Sequence, residues 1–328
     1  MATSRNITWG SPFIEYTNIV GEVMFEQFRS AYVEVNETRL FVRSKGSGKP
    51  LLLLHGFPQT HLMWRRIAGV LAENFCVVCA DLRGYGASDV VVSRPDHFPY
   101  SKRAMAADMV QLMSALGFER FAVAGHDRGA RVAYRMALDH PKSIERLAVL
   151  DVVPTLDAFA HADARLALAF WPWSLLAQPA PLPERLIGAD PEAVIDHALS
   201  AWGSSAGSFP PEVRQAYIDA LRDPARVHAI CEEYRAAASI DLEMDRADRQ
   251  AEHRIACPVL VLWAKGSGLD TWYSQFGGPL GVWRQWANDV TGRSIAGGHF
   301  FPEENPAEAI SALTRFFEDS SASAICTM

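Results

Sequence analysis

The sequence predicts an α/β architecture: a mostly parallel sheet with helices on both faces and a helical cap inserted into it. Two observations lead there. Short apolar runs alternate with helical stretches through the first half of the chain. A block with helical periodicity and no strand-like run then intervenes before one more apolar run.

Taken in order, Leu51 to Leu54 ends at His55-Gly56, Phe75 to Ala80 ends at Asp81, and Phe121 to Ala124 ends at Gly125. Arg146 to Leu150 ends at Asp151, and Pro258 to Trp263 comes much later. One intervening helix is well marked. Ser101 is its N-cap, Met105, Met109, Leu112 and Leu116 share a face, and Gly117 closes it. The expected core is residues 24–153 and 251–320, and the cap is residues 154–250. Aromatics cluster in the cap at Phe170-Trp171-Pro172-Trp173, and prolines punctuate Gln178 to Pro183. Residues 1–23 precede a second possible start at Met24 and read as an extension without a legible role.

The bulk numbers narrow the class. The chain has 328 residues, 49% hydrophobic and 21% charged, which is an ordinary globular balance. No apolar run approaches the roughly 18 residues that span a bilayer. A net charge of -7, with no Lys/Arg block, argues against a nucleic-acid partner. The first 21 residues lack a charged stretch followed by an apolar one, so no signal peptide and a cytoplasmic location are expected. Five cysteines, an odd number, suit a reducing compartment. Cys76 and Cys79 form C-x-x-C only in letters, because three residues apart on a strand means opposite faces. No metal-spaced cluster and no dinucleotide-type glycine fingerprint occurs, so neither metal nor cofactor is expected.

The chemistry centres on Phe121-Ala-Val-Ala-Gly125-His126-Asp127-Arg128-Gly129-Ala130, an apolar strand, a G-x-D-x-G turn and a helix. This is the shape of the nucleophile elbow of α/β-hydrolases, with Asp where esterases carry Ser. A carboxylate attacking an sp3 carbon makes an alkyl ester that water can hydrolyse, whereas a serine would make an inert ether. The elbow therefore points to C–halogen bonds or epoxides.

Hydrolysis of the ester needs a base and an acid that orients it. His299, in Ile295-Ala-Gly-Gly298-His299-Phe300-Phe301, follows a short strand and precedes a C-terminal helix from about Pro306 to Glu318. His253 lies in a charged stretch and reads as surface. The acid is expected at Asp151, at the tip of its strand, with Asp270 as the runner-up. Backbone N–H groups of Phe57 and Arg128 are the natural oxyanion donors, while His55 and His61 beside that loop read as structural. Arg128 and Arg131, one turn apart, suit a carboxylate next to the nucleophile, which selects a 2-halocarboxylate over a neutral substrate. Arg135, a turn further, reads as structural.

These motifs resemble the fluoroacetate (haloacetate) dehalogenases. The resemblance is carried by His55 to Trp64, Asp81-Leu-Arg-Gly-Tyr-Gly86, Gly125-His-Asp-Arg-Gly-Ala-Arg131, Glu233 to Asp241 and Gly298-His-Phe-Phe301. It implies Asp127 as nucleophile, Arg128 and Arg131 as carboxylate clamp, and His299 with Asp151 as the water-activating pair. It also implies Trp202 as a pocket residue (a buried cap aromatic is the alternative) and a homodimer. Halide departure in that family is helped by a His-Trp dipeptide and a Tyr. Trp173 and Tyr234 match the last two, but Pro172, which has no donor, occupies the His position. Trp171 is a substitute donor to consider. Two rivals stand beside this reading: an epoxide hydrolase using Tyr234 and Tyr217, and a non-catalytic ligand-binding member of the fold.

Overall fold

The computed structural model describes residues 7–9, 24–204 and 206–319. Among the described residues nine strands form one sheet in the order β1-β2-β3-β5-β4-β6-β7-β8-β9. Its main part is parallel: β4 (Lys49–Leu54), β5 (Phe75–Ala80), β6 (Phe121–His126), β7 (Ile144–Leu150), β8 (Val259–Ala264) and β9 (Val290–Ile295). These include the expected apolar runs. Leu51 to Leu54 and Val77 to Ala80 are wholly removed from solvent, as strands covered on both faces must be.

The sequence reading did not include the antiparallel edge. There β1 (Ile7–Trp9), β2 (Arg29–Val35) and β3 (Thr38–Lys45) add to the sheet through the β3–β5 pairing. In β2 the inward side chains Ala31, Val33 and Val35 alternate with solvated ones, so no continuous apolar run marks it. Of the expected extension, only residues 7–9 fall within the described residues, and their backbone pairs with β2.

Helix Lys102–Ala115 is capped as its letters suggest. The Ser101 hydroxyl accepts from Ala104 N, and Gly117 takes a φ of 94° at the far end. Between β7 and β8 every described element from Thr155 to Gln250 is helical. Helix Ile240–Gln250 is tied back to the elbow helix Arg128–Asp139 by Arg135. Its guanidinium meets Asp245 at 2.6 Å, Asp248 at 2.5 Å and Asp139 at 3.2 Å. No helix among the described residues is long and apolar enough to cross a membrane.

Candidate active site

Asp127 follows β6 directly and is the N-cap of the elbow helix, with φ 46° and ψ -117°. That left-handed backbone is rare for a residue with a Cβ and is tolerated only where the surroundings enforce it. Here the enforcement is a close approach. A Cβ on Gly125 would sit 2.5 Å from the Gly129 carbonyl carbon, and one on Gly129 would sit 2.3 Å from His55 O. The flanking glycines thus make room for the turn, while the strained dihedral falls on the aspartate itself.

The loop after β4 closes on the same point. Phe57 N donates to Asp127 Oδ2 at 3.0 Å. A Cβ on Gly56 would lie 2.6 Å from that oxygen and 2.8 Å from Arg128 N, so carboxylate and both backbone amides crowd one glycine. Behind this loop His61 Nδ1 lies 2.9 Å from Asp81 Oδ1, and His55 Nε2 accepts from Leu82 N. Burial lowers the His55 pKa, and both rings are engaged in holding the loop.

Asp151 caps β7 with φ 55°, a second strained aspartate. Its Oδ1 accepts from Ala264 N at 2.9 Å, and its Oδ2 lies 2.6 Å from His299 Nδ1. Burial works against a charged His299. Its bond to Asp151 and the charges of Asp151 and Asp127 outweigh burial and raise its pKa. The His299 backbone is clamped from both sides: its N–H donates to Trp202 O, and its carbonyl accepts from His126 Nε2, each at 2.8 Å. Asp270 is elsewhere, accepting from Trp263 Nε1 and Gly266 N. His253 is exposed and paired with Asp248.

A small cavity of about 40 Å³ joins these groups, its wall including Asp127, Asp151, His299, Arg131, Trp173 and Tyr273. At about 10–15 Å³ to admit one water, it is a space of roughly three waters. The two arginines differ: Arg131 is on the cavity wall, and Arg128 is packed behind it against Glu233. Arg128 is fully buried, and its Nε donates to Glu233 Oε1 at 3.0 Å. Burial opposes its charge, yet the Glu233 carboxylate more than compensates and raises its pKa. Glu233 itself is opposed by burial but held down at about 2 by Arg128 and Lys102, the latter 2.7 Å away. Arg131, by contrast, meets only neutral acceptors among the described residues, Val153 O at 2.9 Å and Thr155 Oγ1 at 3.2 Å, and lies 4.4 Å from the Trp173 ring centroid. Burial and then the Arg128 charge lower its pKa. Each guanidinium has a fully buried nitrogen without a hydrogen-bond partner among the described residues: Nη1 of Arg128 and Nε of Arg131.

Of the residues assigned to a halide pocket from sequence, Trp173 lines this cavity. The Tyr234 ring is stacked 4.0 Å from Arg128 Cζ and meets Phe57 edge-on at 5.8 Å. Pro172 is buried at the first turn of helix Pro172–Leu175, and the Trp171 indole N–H beside it is buried without a partner. Trp202 donates to Ala169 O at 2.7 Å and lines a neighbouring cavity. Tyr217 points to Glu303, 3.2 Å away. The sequence reading missed Tyr273, which is 3% exposed and lines the cavity, with burial pushing its pKa up to about 12. Its position just beyond a parallel strand, where ligands gather, was the available signal.

Residues 49–306 match the family model for the α/β-hydrolase fold. The chain is 45% identical over 298 residues to a fluoroacetate dehalogenase of Burkholderia sp, covering 90% of this chain and 96% of that one. It is 31% identical over 296 residues to a soluble epoxide hydrolase of Corynebacterium sp. (strain C12), covering 86% and 95%. A solved structure from Nostoc sp PCC 7120, described as an α/β-hydrolase, superposes with a TM-score of 0.86 at 48% identity, covering 90% and 99%. Fold, elbow and near-full-length similarity agree, and the chain belongs to the fluoroacetate (haloacetate) dehalogenase family of α/β-hydrolases.

Proposed function

We propose that the protein is a hydrolytic dehalogenase of small 2-haloacids, with Asp127 as nucleophile. The observation that carries this reading is a carboxylate and a guanidinium without a carboxylate partner, Arg131, on the wall of one small cavity. A neutral substrate gives that buried cation nothing to bind, whereas a halocarboxylate does.

The substrate carboxylate is held by Arg131 and by the free Nη1 of Arg128. One oxygen of Asp127 attacks C2. The new C–O bond forms as the C–halogen bond breaks, and its electron pair leaves with the halide. Oδ2, already accepting from Phe57 N, becomes the ester carbonyl. His299 then takes a proton from water, and the hydroxide attacks Cγ of Asp127. The oxyanion on Oδ2 is stabilised by the amides of Phe57 and Arg128. Collapse expels the alkoxide of the 2-hydroxyacid, which takes its proton from His299, and the Asp127 carboxyl releases the second proton of the water to solvent and returns to the carboxylate. Asp151 orients the imidazole and stabilises its charged form. The helical block 154–250 serves as a cap over the core of residues 24–153 and 251–320. The resemblance to the haloacetate dehalogenases also supports action as a homodimer.

With Pro172 in place of a donor, fluoride leaves with one hydrogen bond fewer. A lost charge-assisted bond costs about 1.5–3 kcal/mol, on the order of 10- to 100-fold in rate. Halide release from fluoro-, chloro- and bromoacetate at saturation tests both points. Chloro- and bromoacetate should be turned over faster. Defluorination as fast as dechlorination refutes the preference, and no release from any of the three refutes the function. A second reading, epoxide hydrolase, draws on Tyr273 at the cavity wall as a hydroxyl donor, and turnover of styrene oxide without haloacid activity would favour it.

A further inference from the structure

A second cavity of about 320 Å³ lies against the first, its wall including Trp202, Lys265, Ser267, Gly268 and Gly298. Four residues face both spaces: Asp151, His299, Phe170 and Trp272. Asp151 and His299 are buried and bonded to each other, so they cannot give way without undoing the pair. The half-buried rings of Phe170 and Trp272 complete the division, meeting edge to face at 5.8 Å and 85°. Phe170 is the hub, with Trp202 at 5.6 Å and His299 at 5.7 Å. The Trp272 ring is seated by a glycine, since a Cβ on Gly268 would lie 2.5 Å from it.

We propose that Phe170 and Trp272 form a partition that sets the upper size of the acid, and that the space behind it is an unused pocket for a longer C2 substituent. This rests on the haloacid reading above. The inner space is small, about 40 Å³, and an ethyl group on C2 that passes the two rings enters the space of about 320 Å³ behind them. Each methylene an apolar site admits or rejects changes specificity about 10- to 200-fold. Removing either ring merges the small space with the large one.

The test compares kcat/KM for 2-chlorobutanoate and chloroacetate in the wild type, Phe170→Ala and Trp272→Ala, with near-UV circular dichroism to establish folding. Phe170→Leu and Trp272→Leu replace any alanine variant that does not fold. The ratio of the longer acid to the shorter should rise at least about tenfold in each folded variant. An unchanged ratio in variants of both positions overturns the partition. Should the wild type release halide from no acid, the haloacid reading fails by itself. The partition is then read by calorimetry, as the binding of butanoate relative to acetate in the same proteins, where an unchanged ratio again overturns it.

Discussion

Arg128 and Arg131 stand one turn apart with the same chemistry, yet the structure assigns them different loads, and replacing each by methionine should separate these. Arg131 lines the cavity and has only Val153 O and Thr155 Oγ1 as acceptors. Arg131→Met removes one or two charge-assisted bonds to a bound carboxylate, about 2–4 kcal/mol, which corresponds to roughly 30- to 1000-fold in kcat/KM. Stability should change little. Loss of the Val153 and Thr155 bonds is partly offset by the end of repulsion from Arg128. Arg128→Met instead takes one cation from a buried pair with Glu233, which costs about 3–5 kcal/mol of folding free energy. Lys102 remains as a second partner and places the loss at the lower end. Halide-release kinetics and urea midpoints measured on the same preparations give both quantities. An Arg131→Met protein with unchanged kcat/KM, or an Arg128→Met protein as stable as the wild type, would refute the division of labour.

Two pH effects follow from the same site. As the proposed base, His299 must be neutral to accept a proton from water, and its pKa is raised by Asp151 and Asp127. The acidic limb of kcat should therefore lie above the ordinary histidine value of about 6.5, and Asp151→Asn should move it down while slowing turnover. A limb that stays in place in Asp151→Asn would contradict the assignment. The His299–Asp151 bond also stabilises the fold below that ordinary value, and the contribution is lost as pH rises through the raised one. Glu233 behaves in the opposite sense. Its pKa is depressed to about 2, so its contribution is full above the unfolded value of about 4.3 and is lost as pH falls toward 2. Glu233→Gln should cost about 3–5 kcal/mol at neutral pH, with the gap to the wild type narrowing in acid. A constant gap in urea titrations across that range would contradict it.

Much of this was legible in the letters. Fully covered strands such as Leu51 to Leu54 announce themselves as apolar runs, and helix Lys102–Ala115 carries its own start and stop residues. The half-solvated β2 does not, because alternation over seven residues is a weaker signal than a continuous run. In the site, the elbow could be read because its chemistry is local in sequence. The inequivalence of the arginines could not, since Glu233 arrives from 105 residues away. Nor could the cavity walls, where Phe170 and Trp272 come together from distant parts of the sequence.

The covalent step is tested most directly by a single turnover of chloroacetate with enzyme in excess in oxygen-18 water. Alkylation of Asp127 followed by hydrolysis predicts that the label enters the Asp127 carboxyl and that the first glycolate formed is unlabelled. Label in the glycolate hydroxyl, with none in the peptide containing Asp127, would mean that water attacks carbon directly and would contradict Asp127 as the nucleophile.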